Sequence, residues 1–277
     1  MRHLFVLTLR EVVRKRFLFV SLLLSGLFLV LYAVGLHYAV IEFREGANPP
    51  QLTLRLFVIQ LASLAIYMST FISAFFAVFS ASHTTAGELE GGELLAVVSR
   101  PLTRDQIVLG KCAGVATASV AFSLALVGLI LLITTAVSGE TFRNVPLVFG
   151  LYCLQPLVLL SVTLFFGMFL KTIAAGVTGM LLYMLGVIGG STEQITAAFN
   201  PGSQAADIAG LAHYLIPTDA LYRLIYSALA TDIAIPFAGA GPFGASRVPE
   251  WWMVGYAAGY ALLFLAAAIA LFRRKDL

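Results

Sequence analysis

The chain has 277 residues, 60% of them hydrophobic and only 11% charged, with a mean hydropathy of +0.95. A soluble domain carries about 25% charged residues, so the composition excludes an ordinary soluble protein and points to an all-α polytopic membrane protein. The net charge of +3 is too small to suggest nucleic acid as a partner, and the apolar runs lack the alternation of a transmembrane β-barrel.

The N-terminal segment places Leu4, Phe5, Leu7, Val12 and Val13 among Arg10, Arg14, Lys15 and Arg16. Two readings stand: a short interfacial helix on the inner side of the membrane, or a basic flank that orients the first span. Six apolar runs follow, at about 17–41, 56–82, 112–137, 147–170, 172–190 and 251–272. Each is near or above the ~20 residues needed to cross a bilayer. The fifth is the shortest and the richest in glycine. The first is too long for the apolar core of a cleaved signal, which runs about 7 to 15 residues.

Basic residues test the topology. Arg2, Arg10, Arg14, Lys15, Arg16, Arg100, Arg104, Lys111, Lys171, Arg273, Arg274 and Lys275 fall on one side of such a six-pass chain. Arg44, Arg55, Arg143, Arg223 and Arg247 fall on the other. The positive-inside rule then places both termini in the cytoplasm of a multi-pass protein of the cytoplasmic membrane.

Two spans carry stripes of small and polar residues at helical spacing. In the second these are Gln60, Ser63, Tyr67 and Thr70, continued by Ala74, Ala77 and Ala81. In the fifth they are Gly176, Gly179, Tyr183, Gly186 and Gly190. Helices in lipid gain little from hydrophobic association; small residues let backbones approach and polar ones bond across the contact. The stripes read either as packing within one bundle or as a dimer seam or substrate path. No acidic or basic residue lies deep in either stripe, which counts against an ion-coupled pump.

Between the second and third spans lies ELEGGELLAVVSRPLTRDQIVLGK, Glu88 to Lys111. At a helix centre each of its six charges from Glu88 to Asp105 would cost roughly 2.5 to 3.5 kcal/mol, about 15 in all, so the segment lies at or outside the membrane. It keeps Leu89, Leu94, Leu95, Val97 and Val98, and a short helix over 92–98 before Pro101 would present leucines to a groove on a soluble protein. A connector of this length is long for a plain link. Thr103 or Asp105 would cap the helix that follows.

The segment 191–250 is read as extracytoplasmic. Within PTDALYRLIYSALA, Leu221, Leu224, Ile225, Ala228 and Leu229 form the apolar face of an amphipathic helix, with Thr218 as N-cap and Asp219 in its first turn. This outer amphipathic helical segment either packs on the span ends or dips into the interface.

No catalytic constellation is visible. His3, His37, His83 and His213 are scattered over different segments, no metal-ligand spacing occurs, and Cys112 and Cys153 read as packed thiols. The Gly110–Lys111 pair lacks the first glycine of a P-loop, Asp105 standing in its place. Any ATP that drives this protein is therefore bound by another chain.

Three segments, LTLREVVRKRFLF, ELEGGELLAVVSRPLTRDQIVLGK and LFRRKDL, together resemble the permeases of the ABC-2 family, the membrane halves of ATP-binding-cassette exporters. YLIPTDALYRLIY is similar to their outer-loop sequences. The resemblance implies six spans in a single permease domain over 1–277, with an N-terminal interfacial helix. It implies pairing with a second copy or a homologous permease in membrane lipid. It also implies two cytoplasmic ABC ATPase subunits, which hold the ATP and Mg. It makes the loop 83–111 a cytoplasmic coupling element. Glu88, Glu90, Gly92, Glu93, Leu94, Leu95, Ser99, Arg100 and Pro101 would form its ATPase-docking helix, and Lys111 its return to the membrane. The second and fifth spans would lie near the dimer seam and substrate path. Two other readings remain: a membrane scaffold or assembly factor that binds a soluble partner, and an intramembrane enzyme, for which no catalytic pair is visible.

Overall fold

The computed structural model describes residues 2–14, 16–47, 50–87, 104–199, 204, 210–230 and 248–274. Among them are nine α-helices and no strand. They are α1 (Arg2–Arg14), α2 (Arg16–Ala47), α3 (Gln51–Ser82), α4 (Arg104–Ser138), α5 (Val145–Phe166), α6 (Thr172–Phe199), α7 (Ala212–Leu215), α8 (Thr218–Leu229) and α9 (Trp252–Arg274). A π-helical turn, His83–Gly87, continues α3. Six helices (α2, α3, α4, α5, α6 and α9) are long and apolar enough to cross a bilayer. The protein is thus all-α and polytopic, with the six spans read from the sequence.

A segment in hydrocarbon must satisfy its backbone internally, so long apolar runs become helices. The burial of these helices differs sharply. α3 and α5 are mostly buried, whereas α2 and α9 leave most of their apolar surface exposed. α5 touches α3, α4, α6, α8 and α9 and so forms the centre of the bundle. Leu22, Leu23, Val30 and Leu31 on α2 stay exposed, as lipid tails permit. Outside the spans, α1 packs on the start of α4. Thr8 and Val12 are buried there, and a Cβ on Gly114 would lie 2.8 Å from Thr8 Cβ.

Several helix ends differ from the sequence reading. α4 begins at Arg104, so the last turns of the charged insert are continuous with the third span. Of the two proposed caps, Asp105 is inside this helix and Thr103 lies outside the described residues. α4 ends at Gly139, which takes φ +77°, a conformation that suits glycine at a helix C-terminus. Arg44 Nη2 donates to the Ser138 carbonyl at 2.9 Å, placing a cation at the negative end of that helix.

The helix of the fifth span does not stop at Gly190 but runs on through Ser191, Thr192, Glu193 and Gln194 to Phe199. Those polar residues suggest an exit from the membrane. The helix continues because Glu193 and Gln194 are themselves buried, at 7% and 0% exposure. The amphipathic helix α8 exists as expected, but its polar side does not face solvent: Asp219, Tyr222 and Arg223 are as buried as Leu221 and Leu224. α8 is packed onto the ends of the spans. Thr218 is its first residue, not its cap. Pro217 takes the capping position without a side-chain bond, while the Thr218 carbonyl accepts a hydrogen bond from Gln155 Nε2 of α5 at 2.8 Å.

Candidate functional site along the seam of the second and fifth spans

The two stripes meet each other within one chain. Gly176 lies against the Phe79 ring and Ser82 Oγ of α3, where an added Cβ would sit 3.1 to 3.3 Å from them. A Cβ on Gly179 would lie 2.5 Å from Thr163 Oγ1 and 3.0 Å from Val78 Cγ1. Small residues at this spacing therefore bring α6 close to α3 and α5. Between the glycines, Thr70 Oγ1 and Tyr183 Oη are 2.7 Å apart. Thr70 spends its only hydroxyl proton on the Tyr67 carbonyl, so Tyr183 is the donor to Thr70.

The remaining stripe residues turn elsewhere. Gly186 packs against Ile216, just before α8. Tyr67 Oη is 3.3 Å from Ser191 Oγ. The Ser63 carbonyl accepts from Tyr222 Oη at 3.1 Å, and Gln60 Oε1 from Tyr226 Oη at 3.4 Å. Burial pushes both phenols above their ordinary range and keeps them protonated as donors. Gln60 and Ser63 thus hold α8, whereas Thr70, Gly176, Gly179 and Tyr183 hold α6.

At the end of the bundle where α8 packs, the structure assembles a charge cluster that the sequence reading did not find. Asp219 and Arg223, both at 0% side-chain exposure, pair through Arg223 Nε and Asp219 Oδ2 at 2.7 Å. His213 Nε2 lies 3.2 Å from the same Asp219 oxygen and 3.4 Å from Glu193 Oε2. Gly190, the last glycine of the stripe, leaves the space that the Asp219 carboxylate fills; a Cβ there would overlap it. An ionisable group therefore does reach the end of the stripe, delivered by a helix beginning at Thr218. The Asp219/Arg223 spacing of four on an otherwise apolar helix was the signal available. Nothing in the sequence showed that this face is buried.

The docking residues implied by the family resemblance, Glu88, Glu90, Gly92, Glu93, Leu94, Leu95, Ser99, Arg100 and Pro101, lie outside the described residues. The element that leads into them is described. In the π turn, Thr84 Oγ1 donates to the Ser80 carbonyl at 2.8 Å. A Cβ on Gly87 would lie 3.4 Å from Thr172 Oγ1, at the start of α6. Phe17 of α2 places its ring 4.5 Å from that of His83. Three spans thus converge where the insert leaves α3, and π-helical turns recur at functional positions. Both cysteines are free, Cys112 buried and Cys153 half-buried.

Six apolar helices around a hydroxyl-lined seam define a multi-pass membrane protein. The family model described as ABC-2 family transporter protein matches residues 7–277, and the chain belongs to that family. It is accordingly a transmembrane permease, a component of membrane transport. No curated protein matches the chain.

Proposed function

We propose that the chain is the membrane subunit of an ABC exporter, moved by two copies of a separate cytoplasmic ATPase that bind ATP and Mg. Family membership, the six spans and the basic bias toward one side support this reading. The observation that carries it is the junction at the π turn. Gly87 touches Thr172 of α6 while the turn itself continues α3. A displacement of the insert is therefore delivered to both helices of the seam at once.

In this reading Glu88 through Pro101 dock in a groove of the ATPase, with Leu94 and Leu95 as apolar anchors. The exposed side of α6, with Ile173, Val177, Leu181, Leu185 and Ile188, is available to a second permease copy or to lipid. The seam of Gln60, Ser63, Tyr67 and Thr70 with Gly176, Gly179, Tyr183 and Gly186 opens or closes the substrate path beside it. The ATPase must bind one permease state better than the other, or its docking would shift nothing.

The test is copurification. Leu94→Asp combined with Leu95→Asp should abolish recovery of the ATPase while the permease still inserts into the membrane. Undiminished recovery would remove the docking assignment. ATP hydrolysis by the reconstituted complex, stimulated by cargo, separates a transporter from a scaffold that merely holds a soluble partner.

A further inference from the structure

The charge cluster borders a cavity of about 470 Å³ at the α8 end of the bundle, between the end of α6, the short α7 and the start of α9. Glu193, His213, Tyr214, Glu250, Trp252 and Met253 line it. Its volume falls within the range of small-molecule sites, roughly 300 to 1,000 Å³. Two of the lining residues, Tyr214 and Trp252, stack with centroids 6.1 Å apart, and Tyr256, outside the lining, stands edge-on to both.

Among the described residues, the charges around it do not balance. Glu193 and Asp219 bring two carboxylates and Arg223 one guanidinium, already joined to Asp219. His213 presents one nitrogen, Nε2, to both acids, and only the Asp219 contact has hydrogen-bond geometry. Glu193 is 7% exposed and lines the cavity; its buried Oε2 accepts no hydrogen bond and lies 3.4 Å from His213 Nε2. A buried carboxylate with a histidine 3.4 Å away is costly unless that histidine is charged or a further cation is present. Besides the described Arg223, two sources can supply positive charge among the described residues and the space they enclose: a proton on His213, or a cation in the cavity. A metal ion is poorly suited, since no group of His, Cys, Asp and Glu among the described residues could hold one. A cation with an apolar body fits, because it meets aromatic faces as well as carboxylates.

We propose that this cavity binds an organic monocation, a protonated or quaternary amine, with Glu193 as its counter-ion and Trp252 and Tyr214 as its aromatic wall. Glu250 adds a second carboxylate at the exposed rim. The amine is either free or the headgroup of a membrane lipid. The site goes beyond the exporter reading and does not depend on it: binding here is measurable whether or not an ATPase copurifies.

The chain contains two tryptophans, so Trp251→Phe leaves Trp252 as the sole reporter. The full-length protein in nanodiscs of phosphatidylglycerol is titrated with benzyltrimethylammonium while indole fluorescence is read. A saturable change is expected, about tenfold weaker with neopentylbenzene, the uncharged carbon isostere. Glu193→Gln should weaken the cation by about tenfold and leave the isostere unchanged. The titration is run at high ionic strength, which screens the lipid charge, and an equal response to both probes there overturns the proposal. So does an affinity unaffected by Glu193→Gln. The comparison of isosteres on the Trp251→Phe chain alone keeps the proposal falsifiable should Glu193→Gln misfold. Phosphatidylcholine added to the discs distinguishes the sources, since displacement of the probe identifies a lipid headgroup and retention a free amine.

Discussion

The middle of the bundle and its α8 end solve the same problem with different chemistry. In the middle, polar side chains are neutral hydroxyls paired across helices: Ser69 with Tyr152 at 2.7 Å, Thr70 with Tyr183 at 2.7 Å and Ser73 with Ser123 at 2.5 Å. At the α8 end the pairs are ionic, with Asp219 shared between Arg223 and His213. A hydroxyl that loses its partner can turn back to a carbonyl of its own helix, as Ser69 and Thr70 already do. A buried charge has no such refuge. The hydroxyl pairs can therefore be exchanged at modest expense, whereas the charge cluster locks α8 in its buried setting, its link to a span running from Asp219 through His213 to Glu193 of α6.

The largest effect should come from breaking the lock. Arg223→Met leaves Asp219 buried beside a histidine and Glu193, without its guanidinium. Removing one partner of a buried ion pair costs about 3–5 kcal/mol. Thermal unfolding of the purified permease, followed by cysteine labelling of buried Cys112, should show a large drop in midpoint. Asp219→Asn added to Arg223→Met should recover part of it. Equal stability of Arg223→Met and the parent chain would mean that the cluster contributes no more than the seam.

This contrast also separates what was legible in the sequence from what was not. Hydropathy and length revealed the six spans, because a helix in hydrocarbon answers mainly to local composition. Periodicity revealed the two stripes and the apolar face of α8. It gave no account of the other face, where Asp219 and Arg223 are buried. Burial of that face depends on Ser63, Gln155 and Gly190, contributed by three other helices. The helix of the fifth span likewise continues past Gly190 to Phe199, with Glu193 and Gln194 buried. Both cases have one cause: polar residues signal exposure to water only when no distant partner is waiting for them.

The glycines sharpen the comparison at an intermediate scale. Gly179→Ala forces a methyl against Thr163 Oγ1 and Val78 in the seam, and overpacking of a tight interior costs about 1–3 kcal/mol. Gly26→Ala on α2 has nothing within 4 Å to meet, and should be neutral or slightly stabilising through helix propensity. Matched unfolding curves for the two variants would show that α6 does not approach α3 and α5 as closely as the stripe implies.

The smallest effect belongs to the hydroxyl pair itself. Tyr183→Phe removes the donor to Thr70 but leaves the Thr70 bond to the Tyr67 carbonyl intact. Cross-helix hydrogen bonds within membranes average about 0.6 kcal/mol, so unfolding should change little. If the seam slides during transport, the same change should act on the balance between two permease states, because the pair holds α3 to α6 in one of them only. The informative measurement is thus the ratio of cargo-stimulated to basal ATP hydrolysis in the reconstituted complex, set beside the unfolding curve. A shifted ratio with unchanged stability marks a joint that breaks and reforms during the cycle. A fall in stability comparable to that of Arg223→Met, with the ratio unaltered, would make the seam a second lock and leave the motion to be sought elsewhere in the bundle.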